Sequence, residues 1–263
     1  MAYIICHLFS KYLAHETSVS ILLPDNGESI PESGYKVLYL LHGRGDDCTS
    51  WVRNSRIERY AKENNIVVIM PSAGTSFYVN GIYGKRYYSY IVKELPEWAG
   101  HWLPIAKSAE RTYIAGLSMG GYGALRIGLA SPEKFSKIGI FSAGIRPDLL
   151  PDFEATDEGN DILHENIHAA FGTGSLTEKD DPYALIRNLI DNGLRIPEIL
   201  HYEGRQDMLY EMNADFREFA QSPGIPYHYE EWDGEHDWDF WDEALVRLFK
   251  EIGPSQESIG ITN

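Results

Sequence analysis

The chain has 263 residues and a net charge of −16, from 23 Lys and Arg against 39 Asp and Glu, a balance that opposes binding to nucleic-acid phosphates or an anionic membrane surface. Its 43% hydrophobic and 24% charged content fits a folded globular chain and excludes disorder over most of the length. Cys6 and Cys48 are the only cysteines, stand in no metal-ligand spacing and read as free thiols of a reducing compartment; with no signal-like N-terminus and no transmembrane stretch, the expected location is the cytoplasm.

Residues 3–9 and 17–23 read as two strands forming an antiparallel pair at a sheet edge, with a turn at Pro24-Asp25-Asn26-Gly27. Lys36 to Leu41 is a continuous apolar run, as expected of a strand covered on both faces, and it ends at His42-Gly43-Arg44-Gly45. A helix over about 55–63 precedes the strand Ile66 to Met70, which Pro71 stops. Residues 72–86 then mix Gly74, Gly81 and Gly84 with Phe77, Tyr78 and Tyr83, a loop expected to display aromatic side chains. After a helix over about 87–97 come the strand Tyr113 to Ala115, a helix over 122–130 and the strand Lys137 to Phe141. Alternating strands and helices imply βαβ units and a largely parallel sheet with helices on both faces, an α/β fold.

That rhythm breaks between Gly144 and Lys179, an acidic insertion that reads as a lid over a site or as a surface excursion. Within it, 161–171 suits a short helix with Ile162, Leu163, Ile167 and Phe171 on one side, leaving through Gly172-Thr173-Gly174. Asp181-Pro182 starts a helix to about 191 by an N-cap followed by proline at the first position. Then follow the strand 196–201, a helix over 209–221, the strand Tyr227 to Trp232 and a helix over 238–251. Residues 1–253 read as one domain and 254–263 as a polar tail; the oligomeric state is not readable.

The chemistry centres on Arg111 to Pro132, which reads as strand, sharp turn and helix with Ser118 at the apex of Gly116-Leu117-Ser118-Met119-Gly120. Small residues let strand and helix approach, and the turn exposes the serine hydroxyl. A serine hydroxyl is a poor nucleophile near neutral pH, so it needs a base and an acid that orients the base. Of nine histidines, His236 alone follows the last strand after a glycine-containing turn, and Asp207 is placed likewise after the preceding strand. Both positions fall beyond the carboxyl end of the sheet, where sites form in open α/β folds. Simpler roles compete: a helix N-cap for Asp207, a backbone-bonded turn residue for His236. The order Ser118, Asp207, His236 is that of α/β-hydrolases. Two N–H donors must then receive the oxyanion: Met119 supplies one, and Arg44 is expected to supply the other, with Gly43 or Gly45 as substitutes.

The stretches Leu40 to Gly45 with Ser50-Trp51, Ile114 to Gly123, Gly204 to Asp207 and Gly234 to Trp238 together resemble the esterase D and tributyrin esterase group of α/β-hydrolases, over nearly the whole chain. The resemblance implies a cytoplasmic serine esterase of short acyl esters, acetylated sugars among them, with Ser118, Asp207 and His236 as triad and the N–H groups of Arg44 and Met119 as oxyanion hole. No metal or organic cofactor is expected, and the partner is a small-molecule ester. Feruloyl ester hydrolysis is an alternative in which Phe77, Tyr78 and Tyr83 bind the cinnamoyl ring. S-formylglutathione hydrolysis, and a catalytically inactive binding module on the same fold, are the others.

Overall fold

The computed structural model describes residues 1–25, 29–150, 157–173 and 175–253. The expected tail over 254–263, the Asn26-Gly27 turn and positions 151–156 and 174 of the insertion lie outside the described residues.

Eight strands form one sheet in the order β1-β2-β4-β3-β5-β6-β7-β8. They are β1 (Ala2–Ser10), β2 (His15–Leu23), β3 (Lys36–Leu41), β4 (Ile66–Pro71), β5 (Thr112–Leu117), β6 (Lys137–Phe141), β7 (Glu198–Gly204) and β8 (Tyr227–Trp232). β1 pairs antiparallel with β2, and β2 antiparallel with β4; every other pairing is parallel. The antiparallel N-terminal edge on an otherwise parallel sheet is thus present as the alternation of the sequence predicts.

Central strands are apolar on both faces because both are covered. Val37, Tyr39 and Leu41 of β3 join one core with Leu125, Ile186 and Phe216, whereas Leu38 and Leu40 join the other with Trp51, Ile57 and Leu245. The second core is closed by α1 (Ser50–Asn54), α2 (Ile57–Asn64) and the C-terminal α9 (Trp238–Ile252). The first lies under a helix that starts as α3 (Tyr87–Ser89), widens to a π turn at Tyr90–Glu94 and continues as α4 (Leu95–Trp102). Pro96 explains the widened turn: it has no N–H for the carbonyl one helical turn back, and its ring crowds that carbonyl. The same side carries α5 (Met119–Ala130), α7 (Pro182–Asp191) and α8 (Tyr210–Ala220). Asp181 caps α7 by accepting from the Tyr183 N–H, with Pro182 in the first position.

The insertion contains α6 (Asp157–Phe171), a longer helix than its apolar spacing predicts. Leu163 is buried, and Ile167 and Phe171 pack on the core one and two turns further on. Ile162, expected on that side, is 54% exposed, because it stands about 100° of helical rotation away from the row at 163, 167 and 171. β7 starts at Glu198 rather than 196; Pro197 cannot donate to a ladder, and pairing begins with the Glu198 N–H on the Ser136 carbonyl. Among the described residues no helix is long and apolar enough to cross a membrane.

Candidate active site

β5 runs into α5 through a single residue, Ser118, at φ 51° and ψ −116°. An L-residue in the left-handed half of the map costs about 1–3 kcal/mol and persists only where its surroundings fix it. Here the fixing is by main chain. The Ser118 N–H donates to the Phe141 carbonyl (2.9 Å), and the Ser118 carbonyl accepts from Tyr122 (3.1 Å) and Gly144 (3.2 Å). Two glycines permit the approach: a Cβ on Gly116 would lie 2.4 Å from the Gly120 carbonyl oxygen, and one on Gly120 would lie 2.5 Å from that of Leu41.

Asp207 and His236 are brought together by fastening the loops after β7 and β8. The Arg205 N–H donates to the Trp232 carbonyl, the Gln206 N–H to the Gly234 carbonyl, and the Gly234 N–H to the Gln206 Oε1. His236 Nδ1 then lies 2.9 Å and 3.1 Å from the two Asp207 carboxylate oxygens. The buried Asp207 also accepts from the Leu209 N–H at 2.7 Å, so the same carboxylate closes the turn before α8, whose N-cap is Leu209, and binds the imidazole. The His236 ring meets Trp241 edge-on at 5.0 Å, which limits its rotation.

The turn after β3 is built around its own side chains. The Gly43 N–H donates to Asp46 Oδ2 at 3.3 Å, and the Asp46 N–H returns to the Gly43 carbonyl at 3.3 Å. The Gly43 amide is engaged by Asp46, and of this turn Gly43, Arg44 and Asp46 line the cavity while Gly45 does not. His42 locks the turn from beneath. Its Nε2 accepts from the Ala73 N–H (2.9 Å), which leaves the proton on Nδ1 to donate to the Gly43 carbonyl (2.7 Å). Burial pushes the His42 pKa down and favours this neutral ring. Tyr78 completes the clamp by donating its hydroxyl to the His42 carbonyl at 2.9 Å.

Ser118, His236, Gly43, Arg44 and Met119 line one cavity of about 340 Å³. Met119 opens α5, where first-turn amides have no partner within their own helix. Phe77, Leu163 of α6, Leu150, Met208 and Trp241 supply the apolar walls. Of the three aromatic residues expected to contact substrate, Phe77 lines this cavity. Tyr78 is fully buried behind it, and Tyr83, 72% exposed, borders a different depression beside α6.

The sequence reading did not identify the clamp. For Asp46 a local signal existed, a carboxylate three residues after a turn glycine, the setting in which Asp bonds nearby backbone. For Tyr78 none did, because its partner is a carbonyl 36 positions away. Leu163, expected on the apolar side of a helix in an insertion that reads as a lid over a site, does line this cavity.

Residues 10–252 match the Esterase family. The chain is 31% identical to the acetyl esterase of Caldicellulosiruptor saccharolyticus over 259 residues, 95% of this chain and 97% of the relative. Among solved structures it is similar to the fluorophosphonate-binding serine hydrolase FphF of Staphylococcus aureus, with 33% identity, TM-score 0.86 and coverage of 95% of this chain and 98% of that one. It is also similar to the S-formylglutathione hydrolase FrmB of the same organism, with 33% identity, TM-score 0.82 and the same coverage. The chain belongs to the Esterase family and is a serine carboxylester hydrolase of the α/β-hydrolase fold.

Proposed function

We propose that this chain hydrolyses short-chain acyl esters, acetyl esters foremost, by acyl transfer through Ser118. The observation that carries the reading is the meeting, in one cavity, of the strained Ser118 and the His236 imidazole held on Asp207. His236 takes the Ser118 proton through Nε2 while the serine oxygen attacks the ester carbonyl. The N–H groups of Arg44 and Met119 receive the oxyanion. Collapse expels the alcohol, which takes its proton from His236, and a water activated by the same imidazole releases the acid. Asp207 keeps the proton on Nδ1, so that Nε2 stays basic towards the serine.

A short acyl group suits a cavity of about 340 Å³ walled by Leu150, Leu163 and Phe77, and an acetyl esterase is among the relatives more than 30% identical. A feruloyl group is disfavoured, since two of the three aromatic side chains expected to receive its ring are turned elsewhere. One second reading has support: an S-formylglutathione hydrolase is 33% identical, and the cationic Arg44 lines the cavity where an anionic thioester would enter. We treat residues 1–253 as one catalytic domain with 144–179 as its cap, and the two free thiols fit a cytoplasmic setting.

The test is kcat/KM for p-nitrophenyl acetate, butyrate and octanoate, methyl ferulate and S-formylglutathione. The acetate or butyrate ester should lead. A lead of tenfold or more for S-formylglutathione or methyl ferulate would replace the reading.

A further inference from the structure

The two edges of the sheet differ in a way that concerns neither the cavity nor its chemistry. At one end β8 carries Glu230 and Glu231, bonded to Arg247 and to Arg205 and Arg217. Such a charged fringe blocks another strand from adding to the edge. At the other end β1 has nothing of the kind. From Ala2 to Ser10 there is no Asp, Glu, Lys or Arg, no proline and no glycine. Nine successive residues pair in register with β2 along one side, and among the described residues no strand pairs with the other side.

Both faces of β1 are largely apolar, with His7, bonded to the Ser18 hydroxyl, the polar residue of the outer one, and neither is fully covered. Ile4, Cys6 and Leu8 reach the core only as half-buried side chains, and on the opposite face Tyr3 is 40%, Ile5 48% and Phe9 67% exposed. A nine-residue edge with these properties, about 30 Å long at ~3.4 Å per residue, invites strand addition.

We propose that the β1 edge is covered by β1 of a second copy of this chain, paired antiparallel about a twofold axis at Cys6. Two features of the strand favour its own copy as the occupant. Each chain carries −16 and repels another, and β1 is a stretch free of formal charge where two copies can meet. The strand is also self-complementary. A twofold axis perpendicular to the sheet keeps each side chain on its face, which requires opposed residue numbers to sum to an even value. Centring on Cys6 sets Tyr3 against Phe9, Ile5 against His7 and Ile4 against Leu8 of the other copy, with Cys6 facing Cys6. Tyr3, Ile4, Ile5, Leu8 and Phe9 then each meet an apolar or aromatic partner, Ala2 meets Ser10 at the ends, and two eight-stranded sheets become continuous.

Sedimentation velocity at about 50 µM tests this together with a short bis-maleimide cross-linker. The wild type should sediment at twice the 29.8 kDa chain mass, and the cross-linker should join two chains through Cys6. Cys6→Ser should abolish the cross-link while leaving the dimer. Ile5→Lys and Phe9→Lys, at exposed positions, should each raise the dissociation constant about tenfold or more. Both variants should keep the wild-type esterase activity, since neither residue touches the cavity. A wild-type monomer at this concentration would overturn the proposal, and so would a dimer that both lysine variants leave intact or that fails to cross-link through Cys6.

Discussion

Ser118 and the Phe77-Tyr78 pair are non-glycine residues held at positive φ, at 51°, 50° and 58°, and Ser118 and Phe77 line the same cavity. Around Ser118 the main chain provides the restraint: three backbone hydrogen bonds and two glycine contacts, none using the serine side chain. Around Phe77 and Tyr78 the backbone contributes one bond, the Val79 N–H on the Ser76 carbonyl, closing a turn whose two central positions ordinarily take Asn and Gly. Side chains provide the rest. The Tyr78 hydroxyl holds the His42 carbonyl, and the Phe77 ring packs against Tyr122 at 6.3 Å and Phe171 at 5.5 Å. The comparison teaches that similar strain can be independent of the strained side chain or held in large part through it. In the first case the side chain is left for chemistry; in the second it is used up as structure.

Substituting each stretch should therefore separate activity from stability. Ser118→Ala is expected to lower kcat on p-nitrophenyl acetate by about 10⁶ and to abolish labelling by a fluorophosphonate probe, while the melting temperature stays near wild type. A variant that kept turnover would end the role assigned to Ser118, and one that unfolded would end the claim that main chain holds the elbow. Tyr78→Phe should do the reverse. It leaves the buried His42 carbonyl without its donor, a loss of about 1–3 kcal/mol in denaturant unfolding, and lets the Gly43-Arg44 turn drift, for roughly a tenfold fall in kcat. Unchanged stability in this variant would mean that the clamp does not hold the turn.

Glu203, at the end of β7 and four residues before Asp207, offers a control remote from both strained stretches. It is fully buried, with neither carboxylate oxygen hydrogen-bonded, and burial raises its pKa well above the usual value, with the Asp207 charge adding to the effect. A raised folded pKa means that the unfolded chain releases this proton first, so the stability associated with the neutral acid is complete at pH 4 and is lost as pH rises. Glu203→Gln should match the wild type at pH 4 and exceed it by about 1 kcal/mol or more at pH 8 in urea unfolding. Equal stability of the two proteins at pH 8 would mean that Glu203 is not held neutral by burial.

What the sequence discloses follows the same division. The elbow is legible because its restraint is written in neighbouring residues: Gly116 and Gly120 flank the serine, and strand and helix periodicities bracket it. Asp207 and His236 are legible for a related reason, since each closes a strand at the sheet's carboxyl end and topology alone brings those ends together. The simpler role expected for Asp207, a helix N-cap, falls instead to Leu209, and the Asp207 carboxylate accepts the Leu209 N–H in the turn just before the helix. The Phe77-Tyr78 stretch is not legible. Nothing between residues 72 and 86 signals that Tyr78 turns inward to a carbonyl near residue 42 while Tyr83 turns to solvent, because those choices depend on α6, α5 and the β3 turn packing together. The helical phase of Ile162 escaped for a smaller reason, an apolar side chain at the margin of an amphipathic row.

The attachment of α6 has a consequence for redesign. Besides the ring contacts of Phe171 with Phe77 and of His168 with Tyr83, it meets the 72–86 loop through the Thr75 hydroxyl on Asn166 Oδ1 and the Ile82 N–H on the Ala169 carbonyl, and none of these residues hydrogen-bonds His236 or the Gly43 turn. Leu163 enters the cavity from this helix through an aliphatic side chain alone. The wall is in that sense an exchangeable part: trimming Leu163 reshapes the cavity while every hydrogen bond described around Ser118, His236 and Asp207 remains in place.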